Sequence, residues 1–396
     1  MKNILKIIAD KTYGQSYRSK KIELDLEVDS SSRIDNREFN LVNPKHGETL
    51  NHKNYISLTN KSKLLSQVDS PLKYFLDGTR HVYKIDDIVY KLSNRKMVYP
   101  VVAGQIAVGC CGRRDKKMFV VDFLNENVLA LPDVSADSVG ALAAMLEDIN
   151  AVLTMKKISV RLSPPIILYS SNTAQTKTQE FENRAIAKVQ ERMYQLEQSM
   201  VNKIVAKNKL GANNFLVKDG SLEYRMPTEL RNNKRKFLTF KKNYSYVIGV
   251  SKKFNPLLWT NNVNNRPNPD FIAALPIFAR TPVISFENTS FHGDIKFAVW
   301  YLRIHDSKHT DSPFDGVVKV EKMLVTDDEV DSGKIDSDLV DTISAHLINE
   351  RNPVCYGSDN RWANHIYPIF LTESFIKSKI VSAETFLHLF RGVDDE

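Results

Sequence analysis

The stretch NNFLVKDGSLEYR, residues 213–225, decides the fold that we predict for this chain. Its apolar run, Phe215 to Val217, is typical of a strand that is buried on both faces. The run ends at Asp219, which directly precedes Gly220. An Asp-Gly pair after a strand is either an ordinary turn or a strand end that delivers a carboxylate to a site, and this stretch by itself favours the turn.

A second stretch repeats the same order. In YFLDGTR, residues 74–80, an apolar run is followed by Asp77, a glycine and a hydroxyl residue. Metal-assisted hydrolysis of a phosphodiester needs several carboxylates at one point, and Mg²⁺ and Mn²⁺ prefer such oxygen ligands. Two strand-end acids therefore indicate a metal site. A third pair, Asp315-Gly316, lies between two strand-like runs, and we interpret it as a hairpin turn.

The order of the predicted elements indicates an α/β protein with a mixed sheet. From residue 74, three β-rich runs separated by short turns are typical of an antiparallel meander. Helical spacing follows, and its longest stretch has an apolar stripe that includes Leu196 and Met200. The predicted helices cover 135–155, 177–208 and much of 334–390, and the later strands cover 213–218, 244–254, IKFAVWYLRIHD and DGVVKVEKMLV.

Size and charge narrow the class of protein. The 396 residues suffice for about two domains or one large elaborated domain. The net charge of +8 favours an anionic partner, with nucleic acid first and an anionic membrane surface second. Three cysteines without C-x-x-C spacing predict a cytoplasmic protein without structural zinc. No stretch approaches the roughly 18 apolar residues that a membrane span requires.

The first part of the chain differs from the rest. Residues 1–70 are polar, rich in turn residues and poor in periodicity, so we expect an accessory or partly extended arm. A possible role for this segment is docking to a partner. We expect the functional domain to cover residues 71–392.

Two further residues are candidates for the site. Glu197 lies at the edge of the apolar helical stripe, where it is either a solvated boundary residue or a metal ligand. Lys252, in GVSKKF, follows a predicted strand. It is either a solvated lysine or a cation that holds the scissile phosphate.

Together these motifs resemble the NurA nuclease family. The motifs FLDGTR, RMYQLE, LVKDGSL and GVSK occur in the family's order, and WYLRIH and VVKVE follow. The resemblance covers about residues 70–390. Its most specific part is the combination of Asp-Gly-Ser-Leu with Gly-x-Ser-Lys about thirty residues later.

The resemblance implies an RNase H-like mixed sheet flanked by helices, and DNA cleavage that depends on manganese or magnesium. It implies a 5′–3′ exonuclease with single-strand endonuclease activity. It also implies a homodimer docked on a HerA-like hexameric translocase ATPase, in DNA end processing or in defence against phages. By position, Asp77, Glu197 and Asp219 would bind the metals, Lys252 would contact phosphate, and Arg303 would face the substrate.

The C-terminal motif departs from the family pattern. The family often has a helix that reads Ala-His-x-x-Ala, whereas this chain reads YGSDNRWANHI. Alignment on Ala363 places Asn360 at the position of the histidine. We predict Asp359 as the fourth metal ligand, with Asn360 and His365 as the alternatives.

A basic segment, residues 231–242, lies between two of the predicted site strands. Its aromatic residues are Phe237 and Phe240. It either lines the path of DNA, where cations follow phosphates and aromatic rings stack on bases, or is a solvated loop whose two rings are buried. The cations in question are Arg231, Lys234, Arg235, Lys236, Lys241 and Lys242.

Two rival functions remain from the sequence. One is an RNase H-like nuclease that acts on RNA or on an RNA–DNA hybrid. The other is a catalytically degenerate subunit that binds nucleic acid, which the missing histidine favours. The presence of Asp77, Glu197, Asp219 and Lys252 argues against the degenerate subunit.

Overall fold

The computed structural model describes eleven parts of the chain. They are residues 4–17, 41–92, 95–135, 139–172, 178–222, 233–259, 267–288, 295–307, 310, 312–352 and 362–391. Of the helices described, none combines the length and the apolar character needed to cross a bilayer.

The described strands form one mixed sheet of thirteen strands. Along its main path the strand order is β2-β11-β12-β13-β9-β8-β4-β5-β6-β7. The strands are β1 (Gln15–Tyr17), β2 (Leu41–His46), β3 (Ile56–Ser57), β4 (Leu72–Leu92), β5 (Arg95–Arg114), β6 (Lys117–Pro132), β7 (Ile167–Tyr169), β8 (Phe215–Asp219), β9 (Val247–Ser251), β10 (Ala279–Arg280), β11 (Ile284–Asn288), β12 (Ile295–Arg303) and β13 (Val317–Met323).

Helices cover both faces of the sheet. In the described ranges they are α1 (Ile4–Lys11), α2 (Thr59–Leu65), α3 (Val139–Met155), α4 (Thr178–Ala206), α5 (Lys234–Asn243), α6 (Pro269–Ala273), α7 (Asp327–Ser332), α8 (Ser337–Asn349), α9 (Tyr367–Lys377) and α10 (Ala383–Arg391). The predicted fold class, an α/β mixed sheet flanked by helices, is confirmed.

The centre of the sheet carries the candidate site. The strands β4, β5 and β6 form the predicted antiparallel meander. The strand β8 lies between β4 and β9 and runs parallel to both. Its apolar run, Phe215 to Val217, is buried, as expected for a strand with neighbours on both sides and helices above and below.

Two helices mark the two faces of this centre. On β5, Gly104 faces Val189 of α4, and Gly109 faces Ile376 of α9. Because side chains alternate along a strand, positions five residues apart point to opposite faces. The helices α4 and α9 therefore lie on opposite sides of the meander.

The predicted hairpin between β12 and β13 is confirmed. The two strands are antiparallel, and Arg303 pairs with Val317. Between them Gly316 has a φ of +77°, a backbone conformation that glycine adopts without the strain of a side chain. The Asp315-Gly316 pair is therefore a turn, as predicted.

The described parts of residues 1–70 are packed on the sheet rather than extended from it. The side chains of Ile4, Ile7 and Ile8 belong to the main apolar core. The strand β2 pairs with β11 at the sheet edge. Because α1 buries its apolar side in the core, this part of the chain is not the extended arm that we expected. The proposed domain boundary at residue 70 stays a prediction.

Candidate active site

Asp77 lies inside β4, on the face of the sheet that α9 covers. It pairs across the ladder with Gly109, which faces α9. Its Oδ1 accepts a hydrogen bond of 2.8 Å from the Gly78 N–H. The parallel register of β4 with β8 places Leu76 beside Lys218, so Asp77 is level with Asp219.

Asp219 is the last residue of β8, and its side chain is 21% exposed. The next residue, Gly220, has a φ of +83° and donates its N–H to the Val250 carbonyl at 2.8 Å. This left-handed glycine turns the chain away from the sheet while the strand end is still hydrogen-bonded. The Asp-Gly pair is thus both a turn and the means by which a carboxylate reaches the strand end.

Lys252 directly follows β9, and its ammonium group lies between acids. Its Nζ is 3.1 Å from the Asp219 Oδ2 and 3.5 Å from the Glu373 Oε2. Its main chain is fixed because the Asn364 side-chain amide donates to the Lys252 carbonyl at 2.9 Å. Lys252 therefore lies beside two acids and is not a solvated strand-end lysine, and its contact with phosphate stays a prediction.

Glu373 is the acid that the sequence analysis missed. It lies on α9, and its Oε1 also accepts from the Lys377 Nζ at 2.7 Å. The fourth metal ligand was predicted by alignment on the family's histidine motif, and that alignment extends only to His365. The signal that was available is that Glu373 is the single acid in the helical segment YPIFLTESFIK.

Glu197 approaches from the opposite face of the sheet. It lies on the buried side of α4, and its Oε2 is 3.1 Å from the Lys218 Nζ. A Cβ at Gly78 would come within 2.6 Å of the Glu197 Oε1. The carboxylate of Glu197 therefore leaves no room for a side chain at position 78, which explains the glycine of the first Asp-Gly pair.

The four acids differ in their electrostatic environment. Burial, followed by the charge of Asp219, raises the pKa of Asp77 well above its ordinary value, although Lys252 acts in the opposite direction. Burial also raises the pKa of Glu197 against the effect of Lys218. For Glu373, burial is outweighed by Lys252 and Lys377 together, and the pKa is lowered.

Both lysines remain charged. Burial disfavours the ammonium form of Lys252, but Asp219, Asp77 and Glu373 outweigh it and raise its pKa. Burial likewise opposes the charge of Lys218, and Glu197 outweighs that effect and raises the pKa. Four acids thus share two buried cations, with Lys377 as a further partner of Glu373, and the charge of Asp219 adds to burial in raising the pKa of Asp77.

The donor set suits a hard divalent cation. Its carboxylate oxygens are the ligands that Mg²⁺ and Mn²⁺ prefer, and a cation would relieve the buried charge at Asp77. In the part of the chain that the structure describes, no three acidic, histidine or cysteine side chains are close enough together to hold a metal ion. Asp77, Asp219 and Glu373 are the acids grouped around Lys252.

A second acid, Glu321, holds the loop after Asp219. On β13 its Oε2 accepts from the Ser221 hydroxyl at 2.8 Å and from the Leu222 N–H at 2.7 Å. Glu321 is itself fully buried and paired with Lys319. The hydroxyl contact explains the serine of Asp-Gly-Ser-Leu, whereas Leu222 contributes only its main-chain N–H. The sequence analysis used VVKVE only as a strand and gave this glutamate no role.

Several predicted residues do not join the cluster. Arg303 was expected to face the substrate, and this is wrong because its guanidinium is buried and donates to the carbonyls of Asp315, Ala273 and Pro313. His365 is also buried, and its ring packs edge-on against Phe370. The remaining C-terminal and basic candidates, Asp359, Asn360 and Arg231, lie outside the described residues.

The basic segment is a helix rather than a loop. Asn233 caps α5 by accepting from the Lys236 N–H at 3.0 Å. Phe237 and Phe240 are buried, so they cannot stack on bases as one interpretation expected. Most of the described cations on α5 are exposed, and Lys241 is half-buried. They are Lys234, Arg235, Lys236, Lys241 and Lys242.

Comparison with known proteins gives one structural likeness to report. The chain matches no protein-family model, and no curated protein is significantly similar to it. It is similar to the crystal structure of the NurA nuclease from Sulfolobus solfataricus, with 11% identity and a TM-score of 0.41. The match covers 86% of this chain and 94% of that chain.

Proposed function

We propose that this chain is a metal-dependent nuclease that hydrolyses phosphodiester bonds of DNA at the carboxylate cluster. One observation carries the proposal. Acids from four separate elements, β4, α4, β8 and α9, converge on two buried lysines at the centre of the sheet. A structural ion pair needs two partners, whereas this arrangement leaves an excess of negative charge in a buried place.

The acids would hold the metal. Asp77, Asp219 and Glu373 share one side of the sheet and supply oxygen donors, and Glu197 supplies a further carboxylate from the other side. When bound, Mg²⁺ or Mn²⁺ supplies an activated water and stabilises charge on the leaving oxygen. The partial exposure of Asp219 places the accessible end of the cluster at the end of β8.

Lys252 would bind the scissile phosphate. Its charge is held within 3.1 Å of the exposed acid Asp219, and its pKa is raised. A fixed cation beside developing negative charge stabilises a transition state without reorganisation. Its present partners are carboxylates, so this role requires that a metal ion takes over part of their charge.

The helix α5 would contact the DNA backbone. Its exposed cations Lys234, Arg235 and Lys236 form one basic turn, and α5 is tied to α4 by the Asn243–Asn202 hydrogen bond of 2.8 Å. Phosphate contacts of this kind are independent of sequence and weaken with salt. Since the two rings of α5 are buried, this helix would bind by charge alone.

The proposal is tested by substituting the acids. We expect Asp77→Asn, Asp219→Asn and Glu373→Gln each to lower Mn²⁺-dependent degradation of linear DNA by about 100-fold or more. Asp122→Asn is the matched control, because Asp122 lies on β6 outside the cluster and pairs with Lys207, which follows α4. Equal activity of Asp219→Asn and Asp122→Asn would remove Asp219 from the site.

The position of Lys252 favours a second candidate function, that of a nucleic-acid-binding subunit without catalytic activity. Lys252 fills the space between Asp219 and Glu373, which is what a catalytically degenerate nucleic-acid-binding subunit would show. Assays with Mn²⁺ and Mg²⁺ on DNA, RNA and hybrid separate the candidates. Binding without cleavage of any substrate supports the degenerate subunit, and cleavage confined to RNA or hybrid supports the RNA-directed nuclease.

The proposed assembly follows from the sequence motifs. We place the protein in the cytoplasm as a homodimer that works with a HerA-like hexameric translocase ATPase, in DNA end processing or anti-phage defence. The expected activities are 5′–3′ exonuclease and single-strand endonuclease. Co-purification with such an ATPase, and digestion of DNA labelled at either end, test the partner and the polarity.

A further inference from the structure

Two exposed aromatic rings stand side by side at the start of α9. Tyr367 is 43% exposed and Phe370 is 39% exposed. Their ring centroids are 6.4 Å apart and their planes are inclined by 20°, so the rings are nearly parallel. Aromatic rings in contact favour offset-stacked or edge-to-face arrangements. The exposed parts of a nearly parallel pair are available to a flat ligand.

The pair is continuous with the carboxylate cluster. Tyr367, Phe370 and Glu373 follow each other at intervals of three residues, which places them along one side of the helix. The Phe370 ring also packs edge-on against His365, with centroids 5.7 Å apart. From Glu373 the chain of contacts continues to Lys252 at 3.5 Å.

We infer that Tyr367 and Phe370 form a stacking platform for unpaired bases of single-stranded DNA whose backbone enters the carboxylate cluster. The inference rests on the proposed function and adds how the substrate is held. Every base has a π-face, so stacking on aromatic rings binds single strands with little regard to sequence. The same strand carries its phosphates past Glu373 toward the cation of Lys252.

Size and surroundings argue for bases rather than a protein surface. A stable protein interface buries about 800 Å² on each partner, far more than two half-exposed rings offer. Farther along α9 lie its two charged side chains, Glu373 and Lys377, whose ion pair is 2.7 Å long. A small flat apolar area beside charged groups matches a nucleotide, which has an apolar face and a charged backbone.

The test measures binding without cleavage. Fluorescence anisotropy in EDTA compares an oligo-dT strand with an abasic strand of equal length, so that charge is constant and only the bases differ. We expect the wild-type protein to prefer the dT strand, and Tyr367→Ala and Phe370→Ala each to weaken dT binding by about 5-fold. Binding of the abasic strand should stay unchanged.

Matched variants separate stacking from damage to the fold. Phe370→Tyr and Tyr367→Phe keep an aromatic ring and should bind dT like the wild type. Tyr13→Ala removes another exposed ring, 82% exposed on the far N-terminal side of the chain, and should change nothing. Circular dichroism and thermal melting of each alanine variant verify that α9 remains folded.

The outcomes decide between the two proposals. Equal loss of dT and abasic binding, or no loss of either, overturns the stacking platform even if the protein cleaves DNA. Selective loss of dT binding supports the platform. If that selectivity is present while no Mn²⁺-dependent cleavage occurs, the nuclease fails and the platform stands as a single-strand binding device.

Discussion

The two buried lysines of the candidate site have different surroundings. The Lys218 side chain is 2% exposed, and its Nζ contacts Glu197 at 3.1 Å and donates to the main-chain carbonyls of Asp219 and Ser221 at 2.7 and 3.3 Å. The Lys252 side chain is 8% exposed, and its acid partners include the part-exposed Asp219. The first lysine is joined to the fold by its backbone contacts, and the second faces groups that a substrate or metal can reach.

The comparison teaches which cation is structural. Loss of Lys218 would leave a buried carboxylate and two carbonyl groups without their partner. Loss of Lys252 would leave acids that water can solvate or a metal ion can neutralise, because Asp219 is partly exposed. We therefore expect substitutions of the two lysines to separate stability from activity.

The largest expected effect is that of Lys218→Met on folding. Removing one partner of a buried ion pair costs about 3–5 kcal/mol of unfolding free energy. Urea unfolding followed by circular dichroism measures the loss. Lys207→Met is the control, because that lysine pairs with Asp122 at the surface, where an ion pair contributes about 0–1 kcal/mol. If both variants unfold at the same urea concentration, Lys218 is not structural.

Next in size is the effect of Lys252→Met on cleavage. Removing a fixed cation from the reacting phosphate should lower the rate by about 100-fold, while the urea midpoint changes little. The rate of cleavage of linear DNA under Mn²⁺ is the readout. Lys253→Met, one position further and exposed, should retain the wild-type rate. A Lys252→Met protein that unfolds as readily as Lys218→Met would erase the distinction between the two lysines.

The two lysines also show how far sequence reasoning reaches. The strand β8 with its terminal Asp219 was predictable, because the apolar run and the Asp-Gly pair are local signals, whereas Asp77 lies inside β4 rather than at a strand end. Lys252 was predictable from its place after a strand. Lys218 was not singled out, because inside the run FLVKD it has the form of an ordinary strand residue, and only the packing of α4 gives it a partner.

Contacts between distant elements account for the other differences. Glu373 and Glu321 are brought to the site by α9 and β13, which lie about 150 and 100 residues after Asp219 in the sequence. A local pattern contains no information about such pairings. The prediction for Arg303 was wrong for the same reason. Its position at the end of β12 fits either a substrate contact or the buried carbonyl contacts that it makes.

A smaller effect is expected at Gly78, between the two lysine groups. In Gly78→Ala the new Cβ would come within 2.6 Å of the Glu197 Oε1, so the carboxylate must move away from its place beside Lys218. Such overpacking costs about 1–3 kcal/mol of unfolding free energy. Urea unfolding of Gly78→Ala, Glu197→Ala and the double variant tests this. If the two losses simply add, Glu197 does not determine the need for glycine.

The smallest expected effect is on the pH dependence of stability, and it comes from Asp77, one of the acids around Lys252. The pKa of Asp77 is raised in the folded protein above its ordinary value of 3.8, first by burial and then by Asp219. The folded state therefore binds more protons than the unfolded state above about pH 4, and this group's contribution to stability decreases as pH rises through that window. Asp77→Asn removes the contribution, so in EDTA the unfolding free energy of the variant should gain on that of the wild type as pH rises above about 4. Urea unfolding at several pH values measures the difference, with Asp122→Asn as the control. A difference between Asp77→Asn and the wild type that stays constant as pH rises would show that Lys252 offsets the effect of burial on the pKa of Asp77.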